Sequence, residues 1–199
     1  MNPLRKRLET LREYNEISEA GLIARRAFVN NSFDGVLTMI GVVMGSMFVG
    51  VDDAKVILVT GLSTAFSIGI SGGWGAYLAE SAEREHALEE LEQVTLTDLQ
   101  DTKIGKASRM AVKVVAAVDG LSPFAAALLV VIPFFFAPLL PSIQYAYYTS
   151  ITMALLALFG LGIFLGNVSK RSMFVSGIKT TIAGLACIAL SFFVERLSR

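Results

Sequence analysis

The chain has 199 residues, of which 54% are hydrophobic and only 17% are charged, against about 25% charged residues in an ordinary soluble domain. Seventeen Lys and Arg balance seventeen Asp and Glu, so the composition does not indicate nucleic-acid binding, and the apolar excess excludes a disordered chain. The charges concentrate in residues 1–34 and 80–119, leaving long apolar tracts elsewhere.

Residues 1–30 are predicted to form an amphipathic cytoplasmic helix. Leu4, Leu8 and Leu11 recur at helical spacing among Arg, Lys and Glu, a pattern typical of a helix on the inner membrane surface. A helix docked on the cytoplasmic part of the same protein fits the pattern equally well. The charged start lacks the apolar segment of a cleavable signal peptide.

Five apolar tracts are long enough to cross the ~30 Å hydrocarbon core of a bilayer, which takes about 20 helical residues. They cover residues 33–50, 56–79, 114–137, 147–166 and 178–194. The sequence therefore predicts an all-α membrane protein, with transmembrane helices 1 and 2 in residues 31–79 and helices 3 to 5 in residues 112–199.

The distribution of Lys and Arg predicts the orientation. Fourteen of the seventeen lie in three segments that a five-span path places on one side: the N-terminus, residues 80–113 and the loop between the fourth and fifth spans. Cytoplasmic flanks carry the excess of Lys and Arg, so we expect the N-terminus in the cytoplasm and the C-terminus across the membrane. Without a targeting segment, a prokaryotic plasma membrane is the simplest location.

Two carboxylates fall within the predicted spans. Asp34 lies at the mouth of the first span and Asp119 lies inside the third, and each is followed by Gly. A carboxylate at bilayer depth costs at least ~2.5–3.5 kcal/mol on insertion scales, so its default interpretation is an ion path, a proton site or a buried ion pair. Pro123 removes a backbone donor near Asp119, which predicts a kink or break in the third helix.

Glycines concentrate where helices would touch. Gly41 and Gly45 form a pair of small residues four apart in the first span, and other glycines cluster late in the second span and along the fourth. Such glycines typically allow close packing between helices or between protomers. Alternatively, they could form thin helices around an ion path.

Residues 80–111 are predicted to form a cytoplasmic acidic helix, which continues the second span, and a polar connection. Glu80, Glu83, His86 and Glu90 recur along one face of that helix. Carboxylates with one imidazole suit a divalent transition ion such as Fe²⁺, Mn²⁺ or Zn²⁺. A solvated charged face, with Arg84 as an internal counter-ion, explains the same residues without a metal.

An enzyme is not expected. The single His lies on the acidic helix, and Cys187, the single Cys, lies in the fifth span. The sequence shows no nucleophile, base and orienting group in a recognisable arrangement. No cofactor is predicted, with any divalent metal acting as substrate.

The order of these parts resembles the vacuolar iron transporter family over nearly the whole chain. The resemblance rests on Asn-x-x-Asp-Gly at residues 31–35, Gly-Val-Val-x-Gly at 41–45, and Ile-Ser-x-x-x-Gly-x-Tyr-Leu at 70–78. An acidic helix, a Pro-rich third span and a short basic loop between the last two spans follow in the same order.

The resemblance implies a homodimeric five-span exporter of Fe²⁺ or Mn²⁺ from the cytosol, coupled to inward-moving protons. Asp34 matches the family's pathway Asp, and Glu80, Glu83 and Glu90 fall in the region of its metal-gathering acidic helix. Family membership alone would also allow a vacuolar membrane.

The chain also departs from the family pattern. Thr64 stands where the second span usually has a pathway Glu, Gly72 where it has a Met, and Ala76 where the same motif has a second Glu. The path would then have Asp34 and Asp119 as its charges. Five side chains are expected to supply oxygen ligands: Asn30, Asn31, Thr64, Ser67 and Ser71.

Three hypotheses follow. The first is a proton-coupled exporter of divalent metal, with Asp34 and Asp119 in the membrane path and Glu83, His86 and Glu90 collecting metal, completed across a homodimer axis. The second is a transporter of another solute on the same scaffold, motivated by the missing Glu and Met. The third is a membrane protein that does not transport but binds metal or a partner through the acidic helix.

Overall fold

A computed structural model describes residues 3–197, and every regular element in that range is helical. Six α-helices follow along the chain: α1 Pro3–Ser18, α2 Ala20–Val49, α3 Ala54–Thr95, α4 Lys103–Phe135, α5 Ile143–Val168 and α6 Met173–Leu197, with a 3₁₀ turn, Ala137–Leu139, between α4 and α5. Five of them, α2 to α6, are long and apolar enough to span a bilayer, which confirms the predicted fold class.

Helix α3 is much longer than a membrane crossing requires. Its 42 residues extend for about 63 Å at ~1.5 Å per residue, roughly twice the thickness of the hydrocarbon core. The acidic segment is therefore a continuation of the second span, as the sequence predicts. The helix ends where Leu96 takes a positive φ of 53°.

The N-terminal segment, predicted as one helix over residues 1–30, is divided at Glu19, whose φ of 53° interrupts the helical backbone. Across this joint the backbone N–H of Gly21 donates to the side-chain oxygen of Asn15 at 2.7 Å. A Cβ atom built on Gly21 would lie 2.8 Å from that oxygen, so a larger residue there would require the exposed Asn15 side chain to shift. Residues 20–30 consequently belong to α2.

The apolar stripe predicted for the N-terminal helix is visible in part. The side chains of Leu4 and Leu8 lie outside the described part of the structure. Leu11 and Ile17 are 50% and 43% exposed on α1. Such exposure suits a helix on the membrane surface, and that placement stays a prediction.

The kink or break predicted at Pro123 is not realised as an interruption, because α4 runs continuously through Pro123 and Pro133. Pro123 is fully buried, and α2 packs closely against its backbone. Next to it, the Ser32 hydroxyl donates to the carbonyl of Ser122 at 3.5 Å.

The helices contribute to two compact units. One comprises residues 3–28 with Ile70–Leu121, and the other Val29–Gly69 with residues 122–197. The second unit holds the main apolar core, in which Ser150 is fully buried and donates to the carbonyl of Val130 at 2.6 Å. The core includes Val36, Met39, Ile40, Val43, Met44, Ile57, Val131, Phe134, Tyr147 and Leu158.

Glycines bring α5 and α6 into close contact, as the sequence predicts for part of the fourth span. A Cβ atom on Gly166 would lie 2.7 Å from the Cα of Met173, and one on Gly162 would overlap the hydroxyl of Thr180. That hydroxyl lies 2.7 Å from the carbonyl of Leu158 on α5. The two helices therefore pack backbone to backbone, whereas Gly160 faces open space.

Candidate functional site

Helix α2 presents an open stripe that contains the predicted pathway carboxylate and two glycines. At 100° per residue, Asn30, Asp34, Gly41 and Gly45 fall within about 60° of one another around the helix. All four residues are exposed, and a Cβ atom on either glycine would meet no atom within 4 Å. Asp34 is the fifteenth of the 30 residues of α2, so this carboxylate lies half-way along a spanning helix.

The glycine next to Asp34 sets the direction of the carboxylate. Gly35 is buried against α4, and a Cβ atom there would lie 2.5 Å from the carbonyl oxygen and 2.8 Å from the Cα of Pro123. Because successive helical residues differ by about 100°, Asp34 projects away from this contact and remains exposed. The Asp-Gly pair thus combines a tight helix contact with an outward carboxylate.

A groove of about 850 Å³ between α2 and α6 opens beside the same glycines. It is lined by Gly41, Gly45 and Cys187 together with mostly apolar side chains. The Cys187 thiol donates to the carbonyl of Leu37 at 3.8 Å, which gives it a plain packing role.

Helix α3 carries hydroxyl groups on successive turns of one face. Thr60, Thr64 and Ser67 lie within about 60° of one another, and Thr60 and Ser67 are exposed. Both threonine hydroxyls donate at 2.8 Å to a carbonyl four residues earlier, which leaves their oxygens to accept or to coordinate. Ser71, one turn further along α3, is also exposed. Thr60 was missed from the sequence, although the four-residue step from Thr64 signals it.

Asp119 is half-buried on α4, where α3 and α4 approach closely. A Cβ atom on Gly72 would lie 2.7 Å from the backbone carbonyl oxygen of Asp119, and one on Gly73 would lie 3.4 Å from the Cα of Gly120. A side chain at position 72 would therefore require α3 and α4 to move apart.

Glu80 is engaged in an ion pair. Its carboxylate accepts a 2.8 Å hydrogen bond from Arg84, and the two side chains are only 18% and 17% exposed. Arg84 also donates to the carbonyl of Ser18 at the end of α1, at 3.4 Å. This arrangement gives Glu80 a structural partner one helical turn away.

Glu83, His86 and Glu90 project into open space. The imidazole Nε2 of His86 lies 3.5 Å from a carboxylate oxygen of Glu90, and these side chains are 75% and 69% exposed. Within residues 3–197, no three His, Cys, Asp or Glu side chains come together in a group that could hold a metal ion. A complete collecting site would therefore need ligands from outside the described chain.

Lys103, the first residue of α4, forms an exposed ion pair with Glu13 of α1 at 2.5 Å. The hydrogen bond and the charge of Glu13 raise the pKa of Lys103. Exposed pairs of this kind contribute little to stability.

The five spans and the mid-helix carboxylate define a multi-pass integral membrane protein. The family model for the VIT family, the vacuolar iron transporters, matches residues 25–107 and 99–196. The chain is also 34% identical over 174 residues to an uncharacterized protein of Methanocaldococcus jannaschii, covering 86% of this chain and 88% of that protein.

The chain belongs to the VIT family. Membership indicates membrane transport of a metal or other ion, with the lipid bilayer and ions as partners. Members of the family are transporters and not enzymes, which agrees with the prediction made from the sequence.

Proposed function

We propose that the protein exports a divalent metal ion, Fe²⁺ or Mn²⁺, from the cytosol in exchange for protons. The observation that carries the proposal is Asp34, an exposed carboxylate near the start of the apolar part of a spanning helix. Facing lipid, such a group would cost at least ~2.5–3.5 kcal/mol, so an aqueous path or a second copy of the chain is the better cover for it.

A homodimer in which the α2 stripe of one chain meets its copy would supply this cover. The open glycines at 41 and 45 suit close approach of two helices, and symmetry would place two copies of Asp34 near one axis. Two carboxylates can bind one divalent cation, and each can also carry a proton. The same pair of groups thus accounts for exchange of metal against protons.

The remaining donors of the proposed path are oxygen atoms. Asn30 and Asn31 supply amide oxygens near Asp34, and Thr64 and Ser71 supply hydroxyls on α3. Asp119 is proposed as a second carboxylate for the ion or for protons. Oxygen-only ligands suit harder cations, which favours Mn²⁺ over softer ions.

Metal is proposed to be collected by Glu83, His86 and Glu90 and by their counterparts in the second copy. All three project into open space, and one described chain alone does not form a complete site. Glu80, bound to Arg84, is proposed to hold this part of α3 in place. The excess of Lys and Arg on one side of the path supports a cytoplasmic location for these residues, in a prokaryotic plasma membrane.

The test is uptake of Fe²⁺, Mn²⁺, Co²⁺ and Zn²⁺ into proteoliposomes under an imposed proton gradient. We expect gradient-dependent uptake by the wild type and none by Asp34→Asn. Asp52→Asn is the matched control, because Asp52 is exposed in the connection between α2 and α3 and lies off the proposed path.

Transport by Asp34→Asn at the wild-type rate would remove Asp34 from the path. Equal losses of uptake in both variants would show that removing any acidic side chain has this effect, wherever it lies. A folded wild type that moves none of the four metals would favour the second or the third hypothesis, a transporter of another solute or a protein that only binds metal or a partner through the acidic helix.

The dimer is tested by crosslinking in vesicles. On a Cys187→Ala background, Gly41→Cys is expected to form a disulfide with its own copy under mild oxidation. Gly160→Cys, at an equally open glycine of α5, is the control and is expected to stay monomeric. Crosslinking at Gly160 with none at Gly41 would place α5, not α2, at the axis.

A further inference from the structure

A second polar feature lies at the end of the α5–α6 hairpin, within one compact unit, and none of the residues that line it belongs to the proposed path. It is a pocket of about 480 Å³. Two apolar side chains and six polar residues line it, the latter being Ser169, Arg171, Ser172, Ser176, Lys179 and Thr180. The lining thus combines two cations with four hydroxyl groups and includes no carboxylate.

The backbone that carries these groups is fixed by hydrogen bonds. The N–H of Arg171 donates to the carbonyl of Gly166 at 2.9 Å and that of Lys170 to Asn167 at 3.3 Å, the pair of bonds that closes a Schellman motif. Lys170 takes the left-handed conformation of that motif, with φ of 52°. The N–H of Ser176 then donates to the carbonyl of Ser172 at 3.0 Å as α6 begins.

One face of α6 supplies most of the pocket. Ser172, Ser176 and Lys179 recur at intervals of four and three residues, so they share a face of the helix. The first turn of α6 also presents unbonded backbone N–H groups and the positive end of the helix dipole. Cations, hydroxyls and helix dipole all favour an anion at the same place.

No acidic partner offsets this charge. Within residues 3–197, none of Lys170, Arg171 and Lys179 forms an ion pair. The sequence contains no Asp or Glu from residue 120 to residue 194. The hairpin end therefore carries three positive charges that the described residues leave uncompensated.

We propose that this pocket binds a phosphate group, as found in the headgroup of an anionic phospholipid. A connection between two spanning helices lies at the edge of the hydrocarbon core, at the depth of lipid phosphates. The two apolar lining residues can contact an acyl chain while the cations and hydroxyls hold the phosphate. A soluble phosphate compound has the same phosphate chemistry, and the experiment below distinguishes it from a lipid headgroup.

The experiment counts phospholipids retained by the purified full-length protein in native mass spectrometry, after exchange into micelles containing phosphatidylglycerol or phosphatidylcholine. We expect one phosphatidylglycerol per chain to be retained in preference to phosphatidylcholine. Lys179→Gln and Arg171→Gln are expected to weaken retention about fivefold each, since one cation near an anionic headgroup contributes about that factor.

Lys170→Asn is the matched control. It removes the same charge from the same loop, Lys170 does not line the pocket, and Asn tolerates the left-handed backbone there. Lys179→Arg keeps the charge and is expected to retain lipid, which separates loss of the site from loss of folding.

The proposal would be overturned if all three neutralised variants lost lipid retention equally or if none of them lost it. It would also be overturned if the wild type retained both lipids equally. Inorganic phosphate is then titrated against the bound lipid. Displacement at millimolar phosphate, with the same order of variants, would support the phosphate site and assign it to a soluble phosphate compound. Resistance to displacement would assign it to the lipid.

Discussion

A single methyl group on Gly72 is expected to destabilise the protein, whereas the same methyl group one turn along on Gly75 is not. The Cβ atom of Gly72→Ala would lie 2.7 Å from the backbone carbonyl oxygen of Asp119, and one on Gly75 would meet nothing within 4 Å. Both substitutions replace a glycine inside α3. The pair therefore separates packing from helix propensity.

The magnitudes follow from the two environments. Ordinary contact with a Cβ atom begins at about 3.4 Å, so Gly72→Ala requires a separation of α3 and α4 by ~0.7 Å, and overpacking of a fixed backbone costs about 1–3 kcal/mol. Gly75→Ala gains at most about 1 kcal/mol of helix propensity. Because Gly72→Ala gains the same propensity, that contribution cancels, and the two variants should differ by the packing cost, about 1–3 kcal/mol in free energy of unfolding.

Reversible unfolding in mixed detergent and SDS micelles, followed by far-ultraviolet circular dichroism, measures this difference. A Gly72→Ala protein as stable as Gly75→Ala would show that α4 does not press on α3 at Asp119. The reasoning about the missing Met would then fail with it, since that position would have room for a side chain.

Three further changes are expected to alter the free energy of unfolding in the same assay. Ser150→Ala removes the buried hydrogen bond to the Val130 carbonyl and should cost about 1–3 kcal/mol, whereas a neutral result would show that the carbonyl is satisfied otherwise. Gly162→Ala should cost about 1–3 kcal/mol while Gly160→Ala, at an open position, should not, and equal effects would refute the close packing of α5 on α6. Glu80→Gln should cost about 1–3 kcal/mol because it leaves its largely buried arginine partner without a carboxylate, and an unchanged stability would mean that solvent replaces the pair.

The spanning helices could be predicted from the sequence because the length of an apolar tract depends only on composition and bilayer thickness. The continuation of α3 into the acidic segment could also be predicted from the sequence, since neither Gly nor Pro occurs from residue 76 to residue 95. The division at Glu19 was not. It depends on the side chain of Asn15 reaching across the joint to Gly21, a contact that no periodicity reveals.

The residues of the candidate site remain a prediction from the sequence, whereas the packing around them could not be predicted from it. Asp34 stands out in a sequence because a carboxylate in an apolar tract is costly. The outward direction of that carboxylate depends on Gly35 meeting the backbone of Pro123, a contact between residues far apart in the chain. Pro123 alone predicts a kink or break, yet it lies in an uninterrupted helix. Such an outcome depends on tertiary packing, which the local sequence does not show.

The contact at Gly72 connects the two departures of this chain from its family. Because the carbonyl of Asp119 occupies the space where a Met side chain would begin, a thioether ligand cannot be regained at Gly72 by one substitution without moving α4. With Thr64 in place of a Glu, the donors of the proposed path are all oxygens. The path also has one negative charge fewer near Asp34 to attract a cation. Oxygen donors hold Mn²⁺ well but gain little from the softness of Cd²⁺. In the flux assay Cd²⁺ should therefore lack the large preference over Mn²⁺ that a sulfur ligand gives, and inhibition of Mn²⁺ uptake by Cd²⁺ at a small fraction of the Mn²⁺ concentration would contradict an all-oxygen path.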